Sequence, residues 1–99
     1  MDVKLSNDAV PVLSVNGRMD TGNTSIFEEA IAPILKSDIK ELIINCTDLE
    51  YISSSGLRQF LVLQKFMSGK GGSLKVSGLR PEIKEIFDLT GFTNIFTLI

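Results

Sequence analysis

The chain has 99 residues, of which 43% are hydrophobic and 22% are charged. This length and balance predict one globular domain over residues 1–99 and exclude a disordered chain. The formal net charge is −2 and the lysines are scattered along the chain, so we expect no basic face and no nucleic-acid partner.

Histidine is absent, and cysteine occurs once, at Cys46. The chain therefore cannot build a Ser-His-Asp or Cys-His catalytic group, and we expect no metal site and no cofactor. Cys46 ends an apolar run, which favours a buried structural thiol. The N-terminus lacks a basic stretch followed by an apolar one, and no segment approaches the roughly 20 apolar residues of a membrane span, so we expect a cytoplasmic protein without membrane insertion.

The chain opens with two predicted strands. Val3 and Leu5 alternate with polar residues, and residues 10–15 form a stronger apolar segment that Gly17 closes. The polar residues 18–23 then predict a loop.

The first helix is predicted from a capping box and an apolar stripe. Ser25 and Glu28 have the spacing at which each side chain can bond to a free backbone amide of the first turn. Pro33 lacks an amide hydrogen, so we expect a kink or a helix in two pieces. The stripe has helical spacing and consists of Phe27, Ala30, Ile31, Ile34 and Leu35.

The middle of the chain predicts a buried strand, a loop and a second helix. Residues 42–44 are continuously apolar and of β-favouring types, which indicates a central strand. We expect a loop over residues 47–52 and a helix that Ser55 and Gly56 open and that runs to about Met67. This helix is apolar on more than one stripe, so it is either well buried or presents an exposed apolar strip.

The last third predicts a strand, a helix and a short final strand. Leu74 and Val76 alternate with polar residues, Pro81 suits the first position of a helix, and Gly91 suits its end. Residues 95–99 form the last strand. The order is therefore ββαβαβαβ, an α/β pattern in which strands separated by helices pair in parallel.

The most unusual segment is Tyr51–Leu57, in which three consecutive serines lead into an apolar helix. Helix capping explains one serine, because its oxygen can accept a hydrogen bond from a free amide of the first turn. Three small hydroxyl residues beside a glycine also make a surface that a partner can reach. The positive end of the helix can, in addition, accommodate a phosphate.

This segment resembles the phosphorylation motif of the STAS domains of bacterial anti-sigma factor antagonists. In that family an aspartate and two small hydroxyl residues precede glycine and leucine, and the phosphorylated serine directly precedes the glycine, which corresponds to Ser55 here. The resemblance extends over nearly the whole chain, through Gly17–Asp20, Thr47–Ile52 and Pro81–Gly91. One departure is Ser53, which stands where the family usually has aspartate.

The resemblance implies an α/β fold with a small curved, mostly parallel sheet and helices packed on one side. It implies an anti-sigma factor antagonist, not an enzyme, that binds an anti-sigma factor in its unphosphorylated form. That partner would be a serine kinase of the histidine-kinase-like ATPase type, and a PP2C-type phosphatase would reverse the phosphorylation of Ser55. The implied partner-binding residues are Asp20, Thr21, Ser53, Ser54, Ser55, Gly56, Leu57 and Arg58.

Alternatives remain open for the function and for two segments. The departure at Ser53 favours a STAS module that does not switch, such as a scaffold or a subunit of a signalling or lipid-transport assembly. An enzyme with Ser55 as nucleophile would need Lys70 or Lys75 as its base, without support from a motif. Asp20 is either a turn former or a partner contact, and the glycines at 69–72 read as a turn, not a phosphate loop.

Overall fold

The computed structural model describes residues 1–99, which form six strands and three α-helices. The strands are β1 (Asp2–Leu5), β2 (Val12–Met19), β3 (Glu41–Asn45), β4 (Leu49–Ile52), β5 (Ser73–Ser77) and β6 (Thr97–Leu98). The helices are α1 (Thr24–Leu35), α2 (Ser54–Gly69) and α3 (Pro81–Thr90), and a 3-10 turn follows at Phe92–Asn94. None of the helices is long and apolar enough to cross a membrane.

The six strands form one mixed sheet in the order β1-β2-β3-β5-β6, with β4 beside the last residues of β2. β1 is antiparallel to β2, and every other pair is parallel. The apolar run at residues 42–44 lies in β3, between β2 and β5, so the prediction of a central strand is confirmed.

The helices cover one face of this sheet, as predicted. Side chains alternate across a strand, so the buried residues at every second position share one face. On β2, β3 and β5 these residues are Leu13, Val15, Leu42, Ile44, Leu74 and Val76. The intervening Ser14, Ile43 and Lys75 are partly or fully exposed on the other face.

The core between the sheet and the helices is centred on Phe60 of α2. Its ring stacks on Phe27 of α1, with the centroids 5.4 Å apart, and meets Phe87 of α3 edge-on at 6.3 Å. The apolar stripes predicted for the three helices therefore converge on one side chain. Cys46 is fully buried in the same core, as predicted.

Two predictions near the end of β2 were wrong. β2 does not end at Gly17 but continues to Met19, because Gly17 adopts a φ of 92° at a register shift that keeps the strand paired. The predicted loop over residues 47–52 contains β4, which pairs with this extension. Leu49 and Ile52 are buried at its two ends, but the polar residues around them obscure the strand pattern.

The predicted start and kink of α1 were also wrong. Asn23 is the N-cap residue and makes no side-chain cap bond, while Glu28 accepts a hydrogen bond from Gln59 of α2 instead of completing a capping box. Pro33 does not divide the helix, because it lies in the last turn, where few backbone bonds remain to be lost.

The end of the chain follows the prediction for α3 but not for β6. Pro81 is at the first position of α3 and Gly91 ends it with a φ of 81°. The final strand was predicted over residues 95–99, but β6 begins only at Thr97, because Ile95 and Phe96 still bond back to Phe92. The N–H of Ile99 continues the pairing by donating to the carbonyl of Val76 at 2.9 Å.

Candidate functional site

The candidate site lies where the carboxyl ends of β2 and β4 meet. Met19 is opposite Ile52 in the parallel ladder, so the residues that follow them, Asp20 and Ser53, leave the sheet side by side. The backbone N–H of Ser53 donates to the carbonyl of Met19 at 2.8 Å. The structure therefore brings together the two segments that the sequence singled out, although they are more than thirty residues apart.

Ser53 is the N-cap of α2. Its backbone is extended, and its Oγ accepts a hydrogen bond from the N–H of Gly56 at 3.1 Å. The first backbone bond of the helix joins the N–H of Leu57 to the carbonyl of Ser53 at 2.9 Å. α2 therefore begins one residue before the predicted start, and the capping serine is neither Ser54 nor Ser55.

Gly56 allows the first turn of α2 to rest directly on the strand ends. A Cβ at this position would lie 2.8 Å from Cγ1 of Ile52 and 3.0 Å from Cγ of Met19. Gly56 is buried, and Ser53 and Leu57 are each only 8% exposed. These three residues therefore fix the position of the helix end from its buried side. The more accessible serines of the motif are Ser54 and Ser55.

Ser54 and Ser55 are the accessible hydroxyl residues of the motif. Ser54 is exposed and Ser55 is half-buried. Their backbone N–H groups have no acceptor in the protein, because the cap serves Gly56 and the helical bonds begin at Leu57. The first turn of α2 also carries no acidic residue. This end of the helix is therefore positively polarised and unneutralised, which suits an anionic group.

The loop beside the serines is held by its own hydrogen bonds. Asp20 Oδ1 accepts from the N–H of Gly22 at 2.9 Å, and Asn23 Oδ1 accepts from the N–H of Asp20 at 2.9 Å. Asn23 Nδ2 also donates to the carbonyl of Arg18 at 2.8 Å. Asp20 thus forms a turn, as one interpretation of the sequence held, and this turn leaves Thr21 exposed next to it.

Two further contacts border the site and were not predicted, and Arg58, an implied partner-binding residue, lies beside them. The guanidinium of Arg18 lies 4.4 Å from the ring centroid of Tyr51, across the β2–β4 pair. Gln59 Nε2 donates to Glu28 Oε1 at 3.0 Å and ties α2 to α1. Arg58 is exposed and has no ion-pair partner. The two contacts join residues about thirty positions apart, so no local pattern could have indicated them.

The two lysines considered as a base for Ser55 both lie away from it. Lys70 is at the opposite end of α2, about 20 Å away by helical rise, where its Nζ donates to the carbonyl of Ser37. Lys75 is on the face of the sheet that the helices leave open. Burial raises the pKa of the Cys46 thiol to about 12, so that thiol stays protonated and unreactive.

Comparison with known proteins agrees with this architecture. The chain is 29% identical to the anti-sigma-B factor antagonist of Bacillus subtilis, over 99% of the chain and 88% of that protein. It superimposes on an anti-sigma factor antagonist from Mycobacterium paratuberculosis with a TM-score of 0.88 at 23% identity, covering 98% of this chain and 83% of the other.

A third similarity is to the Bacillus anti-sigma factor antagonist SpoIIAA. Its unphosphorylated form matches with a TM-score of 0.78 at 15% identity, over 99% of this chain and 87% of that one. Its phosphorylated form matches with a TM-score of 0.77 at 16% identity, over 99% and 91%. The sequence model of the STAS domain matches residues 2–99. The chain therefore belongs to the STAS domain family.

Proposed function

We propose that this chain is an anti-sigma factor antagonist that is switched by phosphorylation of Ser55. In its unphosphorylated form it binds an anti-sigma factor that is also a serine kinase of the histidine-kinase-like ATPase type, and this binding releases a sigma factor. Phosphorylation of Ser55 ends the interaction, and a PP2C-type phosphatase restores it. The chain itself acts as a binding module in the cytoplasm, without catalysis.

This proposal rests on the free backbone amides and the lack of negative charge in the first turn of α2. The N–H groups of Ser54 and Ser55 are free, no acidic side chain is present in that turn, and the Ser55 side chain is only half-buried. A phosphate on Ser55 can bond to those amides and interact favourably with the helix dipole. Phosphorylation is therefore compatible with an intact fold, and similar TM-scores to both forms of SpoIIAA support this view.

The expected size of the switch follows from charge. A phosphate adds about −1.5 to −2 charges, and an unpaired charge in a closed protein interface costs several kcal/mol. Because about 1.4 kcal/mol corresponds to a tenfold change in affinity, a loss of two to three orders of magnitude is expected without any refolding.

The serine at position 53 does not weaken this proposal. Serine and aspartate are about equally good N-cap residues, because the oxygen of either accepts the same amide hydrogen. Ser53 makes that bond to Gly56. Serine in place of the usual aspartate therefore still caps α2. The substitution gives no specific support to the alternative of a STAS module that does not switch.

Phosphopeptide mapping after incubation with candidate kinases tests the site. We expect phosphate on Ser55, unchanged labelling of Ser54→Ala, and no labelling of Ser55→Ala. Ser54→Ala is the matched control, since it removes the neighbouring exposed hydroxyl and leaves the cap in place. Labelling mainly at Ser53 or Ser54 would contradict the assignment of Ser55.

Titration calorimetry against the kinase tests the switch. Ser55→Ala should bind like the unmodified protein, because Ser55 does not cap the helix. Ser55→Glu should bind at least about tenfold more weakly, as a carboxylate is a poor substitute for the phosphate charge. Equal affinities of the two variants would show that charge at this position does not control binding.

A further inference from the structure

The outer edge of β1 has backbone groups without a partner. The N–H of Ser6 donates to the carbonyl of Val12 at 2.8 Å, which sets the hydrogen-bonding register between the two strands. In an antiparallel pair the bonded positions alternate, so Asp2 and Lys4 also direct their backbone groups toward β2. Val3 and Leu5 consequently direct theirs outward, where no other segment of the chain bonds to them.

The side chains along this edge carry an ordered pattern of charge. Lys4 and Asp2 lie on the same face of the strand, with Nζ 3.8 Å from Oδ2, and they are 77% and 58% exposed. Val3 and Leu5 point to the other face, where α1 packs and where Leu5 remains 39% exposed. One face of this edge therefore carries a negative residue followed by a positive one, and the other face carries two apolar residues.

We propose that two copies of this chain associate through β1, in antiparallel pairing centred on Val3. In this register the outward N–H and C=O of Val3 bond to those of Val3 in the second copy. Asp2 of each copy then faces Lys4 of the other, which gives two ion pairs between the copies. The partner is therefore a second copy, recognised by a charge pattern that is complementary to itself.

The other two-fold registers are unfavourable. Pairing centred on Lys4 also bonds the outward groups of Val3 to those of Leu5, but it places two lysines opposite each other. Pairing centred on Leu5 keeps the bonds of Leu5 itself, but it places Val3 opposite Asn7, beyond the end of β1, and gives Lys4 no carboxylate partner. Like charges directly across a strand pair are destabilising, while opposite charges stabilise it. Only the Val3-centred register satisfies both the backbone and the charges.

Such pairing joins the two sheets and leaves the Ser55 site free. The two-fold axis runs through Val3 and makes β2 of one copy antiparallel to β2 of the other, so the two Ser55 sites point to opposite ends of the dimer. The proposal does not depend on phosphorylation or on an anti-sigma factor. Because β1 has four residues, the contact is small and the association is expected to be weak and concentration-dependent.

Sedimentation velocity over a concentration series up to the millimolar range tests this association. The unmodified chain should shift toward twice its monomer mass and no further, since the pairing closes on itself. Lys4→Glu should weaken association about tenfold or more, because both ion pairs become repulsive contacts. The exchange variant Asp2→Lys with Lys4→Glu should restore it, because the same pairs re-form with reversed sign.

Val3→Pro provides an independent test of the backbone bonds. It removes the outward N–H but no bond to β2, so the monomer should keep its circular dichroism spectrum while dimerisation is lost. A protein that stays monomeric throughout the concentration range would overturn the proposal. Equal association of Lys4→Glu and the unmodified chain, or masses beyond the dimer, would do so as well.

Discussion

The two ends of α2 are both packed closely around a glycine, but they differ in the state of their backbone polar groups. At the amino end Gly56 rests on Met19 and Ile52, and the N–H groups of Ser54 and Ser55 remain free. At the carboxyl end Gly72 lies against the carbonyl of Lys40, where a Cβ would come within 2.6 Å of the oxygen.

At the carboxyl end, the amides of the two glycines after the helix and several of the last carbonyls are bonded within the protein. The N–H of Gly72 donates to the carbonyl of Met67 at 2.8 Å, and that of Gly71 donates to the carbonyl of Ser68 at 3.1 Å. Lys40 Nζ closes the end by donating to the carbonyl of Lys70 at 2.9 Å. Tight packing is therefore common to both ends, and free polar groups distinguish the end that we propose to be functional.

The largest expected effect is at the carboxyl end, in Gly72→Ala. The added methyl group meets a backbone oxygen that cannot rotate away, so we expect a loss of about 3 kcal/mol in the free energy of unfolding. Urea denaturation measures it. Gly69→Ala is the matched control, because nothing lies within 4 Å of its Cβ position, and it should be neutral or slightly stabilising. A Gly72→Ala variant as stable as Gly69→Ala would contradict the close packing of this end.

Gly56→Ala should cost less stability but should affect function. Its methyl group meets side-chain carbons of the buried Ile52 and Met19, which can repack where a backbone oxygen cannot, so we expect a loss of about 1–2 kcal/mol in urea denaturation. The shift displaces the first turn of α2, so the phosphorylation rate of Ser55 should fall as well. Gly72→Ala, assayed well below its melting temperature, should retain that rate. Equal phosphorylation rates in Gly56→Ala and Gly72→Ala would contradict the proposal that only the amino end of α2 is functional.

Ser53→Ala should destabilise the chain by about 1 kcal/mol, since it removes the bond that caps α2. Ser53→Asp should be as stable as the unmodified chain, or more stable by about 0.3–1 kcal/mol, because the carboxylate keeps the cap and interacts with the helix dipole. Thermal melts compare the two, with Ser54→Ala as the control for an exposed serine. Marked destabilisation by aspartate would show that the cap position does not tolerate charge.

The smallest effect is expected for Lys40→Met at the carboxyl end. It removes one exposed hydrogen bond to the carbonyl of Lys70 and keeps most of the aliphatic side chain. We expect a change within about 0.5 kcal/mol and unaltered phosphorylation of Ser55. A large loss in thermal melts would mean that this bond, and not the packing of Gly72, holds the carboxyl end together.

Much of the fold could be predicted because its signals are local. The apolar run at residues 42–44 indicated the central strand, and Pro81 and Gly91 marked the two ends of α3. β4 escaped prediction because it is a short strand among polar residues, and its pairing depends on an extension of β2 beyond Gly17. The capping box of α1 failed because the helix begins at Thr24, which places Ser25 inside the first turn, and because Glu28 bonds to Gln59 of α2.

The candidate site could be predicted only in part. Three serines before Gly56 identified the segment, but which of them caps the helix depends on where β4 ends and the chain turns. The hydrogen bond from Ser53 N–H to the carbonyl of Met19 settles that point and buries Ser53. The accessible serines of the motif are thus Ser54 and Ser55. Because the three serines have identical side chains, the sequence alone cannot show which of them is buried.

The sequence by itself determined the α/β class, the apolar faces of the helices and the segment that carries the serines, because periodicity and residue type act over a few neighbouring positions. Only the tertiary structure decided that Asp20 and Ser53 leave the sheet side by side, that Gly56 is a packing contact, and that the amides of Ser54 and Ser55 remain free. Each of these depends on the register between β2 and β4, two strands that are far apart in the chain and meet only when the core is closed.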